Sequence, residues 1–204
     1  LLQTRVGKRN GQAAIKIALD LFKNQKINQK TLFKRIASQH INEILLPSID
    51  KKEEQLAFII GKGLPAGPGA ASGQIVFSAD KAELLFQAGK KVVLVREETS
   101  PEDVHGMYAS EAILTSRGGM TSHAALVARG WGKCCIVGSN DIQINYKKKN
   151  FTANNEVFYE NDWITLNGSI GFIYAGSLKL VQRKIDNNTE YNNLMSLCEK
   201  FNPM

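Results

Sequence analysis

The sequence predicts an α/β domain preceded by a helical segment, and three features lead to this fold class. Short apolar, strand-like runs alternate with helix-like segments through the middle of the chain, a pattern typical of α/β proteins. The first 58 residues instead place apolar side chains at helical spacing. Between these regions, glycines and prolines crowd into the stretch from Gly61 to Gly73, which we expect to form a loop entering a new domain.

The individual elements can be placed along the chain. A first helix is expected around 13–22 and a second over 31–46, ended by Pro47. The predicted strands are 74–77, 91–95, 112–115, 134–137, 163–166 and 171–174, and the predicted helices between them are 81–88, 101–109 and 123–129. The last two strands are separated by Asn167-Gly168, which indicates a hairpin.

The predicted organisation has three parts: a helical linker over 1–58, the α/β domain over 59–178, and a helical, Asn-rich linker over 179–204. The formal net charge is +7, of which the first part carries +6, the α/β domain 0 and the last part +1. Because the excess of basic over acidic residues lies outside the α/β domain, we expect no nucleic acid partner.

Composition and chain ends narrow the class of protein further. No apolar run reaches the roughly 18 residues of a membrane span, so we expect no membrane partner. Three cysteines, two of them adjacent, suit a reducing compartment such as the cytoplasm. The chain starts without Met, and we expect it to be a fragment of a longer protein.

The densest chemical signal lies between the third predicted strand and the helix after it. The strand is expected to end at Thr115, and Gly118-Gly119 then gives a tight turn without side chains. Thr121 and Ser122 are both favoured N-cap residues, and Gly130 is a suitable helix end.

His123 is therefore predicted to lie in the first turn of a helix, directly after a glycine turn. The unpaired N–H groups and the positive end of the helix dipole favour an anion such as phosphate at this place. The same dipole favours the neutral, nucleophilic form of the ring. This arrangement suits covalent catalysis through a phosphohistidine, and the alternative is a histidine with only a structural role.

The segment from Gly118 to Cys135 closely resembles the phosphohistidine signature of the pyruvate, phosphate dikinase family. More loosely, it is similar to phosphoenolpyruvate synthases and to Enzyme I of the sugar phosphotransferase system, in which Met120 is usually replaced and Cys134-Cys135 differs. Further stretches resemble the same family: 64–77, 95–103, and Leu2-Gln3-Thr4-Arg5 with Gly7-Lys8-Arg9. Gly67, where the family more often has Ser, is interpreted as a feature of loop geometry.

The resemblance implies a swivelling β/β/α domain that carries the phosphohistidine between two other domains of the same chain. These are an N-terminal nucleotide-binding domain of ATP-grasp type and a C-terminal (β/α)8 barrel that binds pyruvate or phosphoenolpyruvate. The implied reaction converts ATP, phosphate and pyruvate to AMP, diphosphate and phosphoenolpyruvate, with His123 phosphorylated at Nε2.

The resemblance also implies what this chain does not hold by itself. The ATP and pyruvate sites, and the Mg²⁺ that the enzyme uses, would lie in the other domains, with no metal site in this chain. The implied whole enzyme is a homodimeric phosphotransferase of the cytoplasm, or of an organelle in some eukaryotes.

Several residues around His123 receive predicted roles. The expected supports of the phosphate are Arg117, Gly118, Gly119 and Ser122. Arg117 either neutralises phosphate or is a solvated turn residue, and Ser122 either caps the helix or contacts phosphate. Thr121 matches a threonine that a regulatory protein phosphorylates in plant members. A dianion two residues before His123 would repel incoming phosphate, whereas the alternative role for Thr121 is a loop or cap hydroxyl.

Other candidates carry less weight. We expect His105 to be structural and Lys147–Lys149 to be a solvated turn. Cys134 and Cys135 are adjacent on a strand, so their side chains should point to opposite faces and cannot easily bind one metal together. Two alternative functions stay open: a phosphoenolpyruvate synthase-like carrier domain, and a non-catalytic docking module of the same fold.

Overall fold

The computed structural model of the chain describes residues 11–182 and 189–201. The resembling segments Leu2–Arg5 and Gly7–Arg9 lie outside these residues. The chain divides into two compact units, one built from the segments before Pro47 and after Val181, and the other from Pro47 to Val181. The division therefore falls at other positions than the sequence-predicted boundaries near 59 and 178.

The first unit is a small helical assembly. Its described helices are α1 (Gly11–Lys23), α2 (Gln29–Arg35), α3 (Ser38–Leu45) and α8 (Thr189–Phe201). Ile15, Leu19 and Leu32 are buried in its core, and Leu197 from α8 packs against them. The single helix predicted over 31–46 is wrong, because the backbone is extended at Ile36 and Ala37 and separates α2 from α3.

The second unit is built around a mixed sheet. Among the described residues this sheet has eight strands, in the order β2 (Ile59–Lys62), β12 (Phe172–Ala175), β11 (Trp163–Asn167), β4 (Ala70–Val76), β5 (Val92–Arg96), β6 (Ala112–Thr115), β7 (Cys134–Val137) and β3 (Leu64–Gly67). The central strands β4 to β7 are parallel, and the remaining pairs are antiparallel. The predicted hairpin at Asn167-Gly168 is confirmed as the β11–β12 pair.

Helices cover one face of this sheet and a second, smaller sheet covers the other. The helices are α5 (Ala79–Gln87), α6 (Val104–Ala109), which a 3-10 turn at Pro101–Asp103 precedes, and α7 (His123–Trp131). The smaller sheet consists of β8 (Gln143–Asn145), β9 (Asn150–Ala153) and β10 (Glu156–Tyr159). Two buried cores fill the spaces between these layers, which confirms the expected β/β/α architecture.

The Gly61–Gly73 stretch is not the loop that the sequence predicts, because it forms β2, β3 and the start of β4. Its glycines are required by close contacts between neighbouring backbones. A Cβ atom on Gly67 would lie 2.0 Å from the carbonyl oxygen of Lys133, and one on Gly73 would lie 2.8 Å from the backbone of Val92. The interpretation of Gly67 as loop geometry is therefore wrong.

A short pairing joins the two ends of the α/β unit. β1 (Ser48–Ile49) pairs antiparallel with β13 (Leu180–Val181). The helix α4 (Lys51–Leu56) follows β1, and Asp50 caps its N-terminus by accepting from Lys52 N–H at 3.0 Å. The first and last segments of this unit therefore lie side by side.

Candidate functional site

The predicted site forms where β6 leads into α7. Ser122 caps this helix as predicted, because its Oγ accepts from the N–H of Ala125 at 3.4 Å. The helix continues past Gly130, however, and ends at Trp131, with Gly132 in the left-handed conformation (φ 67°) as the C-cap. Gly130 is therefore not the helix end that the sequence predicts.

The turn before α7 has its own internal support. Gly118 has a φ of +96°, a conformation that favours glycine. The hydroxyl of Thr115 donates to the carbonyl oxygen of Arg117 at 2.7 Å, and the N–H of Ser122 donates to the carbonyl oxygen of Gly119 at 2.9 Å. A Cβ on Gly119 would meet no heavy atom within 4 Å, so the turn is open at that residue.

His123 is the first residue of α7 and is partly buried. Its Nδ1 lies 3.1 Å from the Oγ1 of Thr99, whereas no described residue forms a hydrogen bond with its Nε2. The backbone N–H groups of His123 and Ala124 also have no acceptor among the described residues, as expected for the first turn of a helix. The first turn of α7 therefore has both an unpaired ring nitrogen and unpaired amide donors among the described residues.

Thr99 is the residue of the site that sequence analysis did not identify. It lies in the loop after β5, and β5 and β6 are neighbouring parallel strands. The carboxyl ends of parallel strands meet at one edge of the sheet, so the loop after β5 approaches the turn after β6. This positional rule, combined with the hydroxyl of Thr99, is the signal that could have identified the residue.

A buried carboxylate fixes the loop that carries Thr99. Asp103 is 5% exposed, and its Oδ2 accepts from the N–H of Ser100 at 2.9 Å. Its Oδ1 lies 3.4 Å from Nη2 of Arg96, and Nη1 of Arg96 donates to the carbonyl oxygen of Phe77 at 3.0 Å. Both ends of the loop are therefore tied to the sheet.

Arg117 lies at the edge of the site and is largely exposed. Its Nη1 is 3.5 Å from the Oε2 of Glu97, and its backbone N–H donates to the carbonyl oxygen of Glu97 at 2.9 Å. Surface ion pairs of this kind contribute about 0–1 kcal/mol, so the guanidinium can exchange this carboxylate for another anion at little cost. Thr121 is also exposed to solvent.

The other predicted residues lie apart from this hydrogen-bonded group. His105 Nε2 is 3.0 Å from the carboxylate of Asp80 on the surface. Cys134 and Cys135 pack into the two different cores, which confirms that their side chains point to opposite faces. Lys147–Lys149 forms the turn between β8 and β9. Within the described residues, no three His, Cys, Asp or Glu side chains converge as metal ligands.

A β/β/α domain with a histidine at the N-terminus of a helix, after a glycine turn, is the expected architecture of a phosphoenolpyruvate-utilising carrier domain. Residues 88–171 match the family of the PEP-utilising enzyme, mobile domain, and this part of the chain is assigned to that family. The predicted family resemblance is thus confirmed.

Relatives from plants carry a more specific name. Pyruvate, phosphate dikinase of Flaveria pringlei (chloroplastic) is 47% identical over 190 residues, which are 93% of this chain and 20% of the relative. The chloroplastic enzyme of Mesembryanthemum crystallinum is 49% identical over 180 residues, or 88% of this chain and 19% of the relative. Pyruvate, phosphate dikinase 2 of Oryza sativa subsp. japonica is 48% identical over 180 residues, with 88% and 20% covered.

The chain is therefore homologous to the mobile domain of pyruvate, phosphate dikinase, and it spans about a fifth of the length of these relatives.

Proposed function

We propose that this chain is the phosphoryl-carrying domain of a pyruvate, phosphate dikinase, with His123 as the covalent carrier. The observation that carries this proposal is the environment of the ring. Nδ1 of His123 lies 3.1 Å from the hydroxyl of Thr99, and Nε2 has no hydrogen-bond partner among the described residues. A ring held at Nδ1 presents Nε2 as its nucleophilic atom.

The proposed chemistry starts with the neutral ring. If Nδ1 carries the hydrogen and donates it to Thr99 Oγ1, the lone pair of Nε2 attacks the β-phosphorus of ATP and AMP leaves. Phosphate then takes the terminal phosphoryl group, and diphosphate is released. The group left on Nε2 is transferred to the oxygen of pyruvate enolate, which gives phosphoenolpyruvate and restores the neutral ring. The Thr99 hydroxyl stabilises the positive charge that the ring gains during each attack.

The surroundings of His123 fit a phosphoryl group on Nε2. The amides of His123 and Ala124 are the unpaired donors of the α7 N-terminus, where anions bind. Gly119 borders open space that a bulky donor can enter, and Ser122 is engaged as the cap. Arg117, released from Glu97, is the proposed side-chain cation for this group.

The rest of the reaction belongs to other parts of the enzyme. We place the ATP-grasp domain, the pyruvate-binding barrel and the Mg²⁺ site in the part of the relatives' length that this chain does not span. Mg²⁺ would assist phosphoryl transfer by neutralising phosphate charge. Since no group of potential metal ligands converges within the described ranges, no residue of this chain is assigned to it. A homodimeric whole enzyme also stays part of this proposal.

Two further features of the proposal concern regulation and location. Thr121 is exposed, as a kinase substrate must be, and is the proposed position of an inactivating phosphate. None of the helices within the described ranges is long and apolar enough to span a membrane. Because some relatives are named chloroplastic and the second rice enzyme is not, we propose the cytoplasm or an organelle as the compartment.

The alternative reaction is that of a phosphoenolpyruvate synthase, in which water takes the terminal phosphoryl group. Relatives between 44% and 49% identical are named as dikinases, which favours the dikinase over the synthase. A requirement for inorganic phosphate in the overall reaction distinguishes the two, since only the dikinase consumes it.

The central test is labelling of the full-length protein with phosphoenolpyruvate that carries a labelled phosphoryl group. We expect acid-labile, base-stable label on the wild type and none on His123→Asn. His105→Asn is the matched control: the one hydrogen bond that the His105 side chain forms with a described residue is to the exposed Asp80 carboxylate, so the change should leave labelling intact. Retained label in His123→Asn would contradict the assignment of the carrier.

A further inference from the structure

Tyr146 lies in the turn between β8 and β9, in the smaller sheet, on the opposite side of the main sheet from α7. The backbone N–H of Glu97 donates to the hydroxyl oxygen of Tyr146 at 2.8 Å. The Tyr146 ring also meets the ring of Phe77 edge-on, with centroids 6.5 Å apart, and the guanidinium carbon of Arg96 lies 5.4 Å from the Tyr146 centroid. Three contacts thus connect this one side chain to the start of the loop after β5 and to the end of β4.

The loop that carries Thr99 is held on both sides of that residue. Before Thr99, the N–H of Glu97 is bound by the Tyr146 hydroxyl. After Thr99, the N–H of Ser100 is bound by the buried carboxylate of Asp103. Thr99 lies between these two anchors, and its Oγ1 reaches Nδ1 of His123 at 3.1 Å.

We infer that Tyr146 is a positioning residue for the phosphohistidine: by holding Glu97, it keeps Thr99 at Nδ1 of His123 and so keeps the lone pair on Nε2. With the Thr99 hydroxyl as the acceptor of the hydrogen on Nδ1, this hydrogen bond favours the Nδ1–H tautomer, so a displaced Thr99 changes the ratio of the two tautomers. The consequence of this inference for phosphoryl transfer rests on the proposed function, whereas the effect of Tyr146 on the tautomer of His123 does not.

The direct readout is the tautomer of His123, observed by nitrogen NMR on the chain labelled with ¹⁵N-histidine. The chain has three histidines, so the signals can be assigned by substituting them one at a time. We expect the wild type to show hydrogen on Nδ1. Tyr146→Phe keeps the ring and its contacts but removes the acceptor for Glu97. We expect it to lower the ratio of the Nδ1–H to the Nε2–H form about fivefold, the factor typical of one lost hydrogen bond.

Thr99→Val removes the direct partner and should shift the ratio at least as far. In the double variant, Tyr146→Phe should add nothing to the shift caused by Thr99→Val, because it acts only through Thr99. The matched control is Tyr159→Phe, an exposed tyrosine of β10 whose hydroxyl has no hydrogen bond to a described residue. Its spectrum should match the wild type.

A second measurement is hydrogen exchange at the Glu97 amide, which should quicken in Tyr146→Phe and stay unchanged in Tyr159→Phe. The inference is overturned if Tyr146→Phe leaves the His123 tautomer as in the wild type, or if Thr99→Val does. Should the full-length wild type take no label from phosphoenolpyruvate while the tautomer shifts as expected, the proposed function fails and the positioning role of Tyr146 stands.

Discussion

At the scale of single residues, the site depends on the contacts of one imidazole ring. The α7 N-terminus supplies amide donors, but it does not determine which ring nitrogen is free. The hydroxyl of Thr99 makes that selection, because it lies 3.1 Å from Nδ1 and leaves Nε2 open. A residue from a neighbouring loop therefore occupies one ring nitrogen of His123, and under the proposed function this leaves Nε2 as the reactive atom.

Two glycines in the first strands of the main sheet lie where neighbouring backbones pass too close for a side chain. We predict that Gly67→Ala lowers the free energy of unfolding by about 2–3 kcal/mol, because the added Cβ would lie 2.0 Å from the carbonyl oxygen of Lys133. The matched control is Gly130→Ala, where the new Cβ meets no heavy atom within 4 Å inside α7. Urea unfolding should show a gain of about 0.5–1 kcal/mol for this control, since alanine favours helix. If Gly67→Ala unfolded at the same urea concentration as the wild type, the close contact would be contradicted.

At the scale of secondary-structure elements, α4 shows how a short helix is held by specific hydrogen bonds. The helix contains no buried residue, and a helix of this length is not stable by itself. The Oε1 of Glu54 accepts from the Nδ2 of Asn167 at 2.7 Å and from the hydroxyl of Tyr174 at 3.0 Å. Burial, together with this carboxylate, raises the pKa of Tyr174 above its usual range.

Glu54 is therefore expected to be important for the stability of the α/β unit. Glu54→Ala leaves the hydroxyl of the buried Tyr174 without its acceptor, and we predict a loss of about 1–3 kcal/mol in the free energy of unfolding. Glu54→Gln keeps an acceptor oxygen in place and should lose less. Both values can be measured by urea unfolding. Equal stability of Glu54→Ala and the wild type would show that α4 is held by other contacts.

At the scale of the whole molecule, the α/β unit is stabilised by two cores on either side of one sheet. Cys134 and Cys135, adjacent in β7, each enter a different core. Burial raises the pKa of Cys134 to about 12 and also raises that of Cys135. The folded unit therefore holds both thiols in their neutral form well into the alkaline range.

We predict that these two buried thiols make the α/β unit less stable at alkaline pH. In the folded unit the pKa values of both thiols are raised above the ordinary value of 9.0. Their contribution to the free energy of unfolding is therefore complete below pH 9 and is lost as the pH rises toward 12. Each thiol can add up to about 1.4 kcal/mol per pH unit to the decline. Urea unfolding between pH 7 and 11 should show a shallower decline for Cys134→Ser/Cys135→Ser. The half-buried Cys198, changed to Ser, is the control and should keep the wild-type slope. An unchanged slope in the double variant would contradict the prediction.

Local pattern was sufficient to predict much of the fold. The strands β5, β6, β7, β11 and β12 lie within one residue of their predicted positions at either end. Helix α7 begins at His123 because Ser122 is a strong N-cap residue, a preference that depends on residues within one turn. The β/β/α layering came from the family resemblance, because the small sheet of β8, β9 and β10 was not among the predicted strands.

The strands that were missed in Gly61–Gly73 depend on distant partners. The glycines of Gly61–Gly73 suggested a loop, yet Gly67 and Gly73 are required where backbones from Lys133 and Val92 pass close by. Such contacts join residues far apart in the chain, and local composition does not contain them.

The sequence by itself determined the strands β5, β6, β7, β11 and β12, the start of α7 and His123 as the candidate carrier, because caps and apolar periodicity act over a few residues. Only the tertiary structure decided that Thr99 meets Nδ1, that Asp103 and Tyr146 hold its loop, and that Arg117 faces Glu97. The physical reason is that neighbouring parallel strands bring the ends of separate segments to one edge of the sheet.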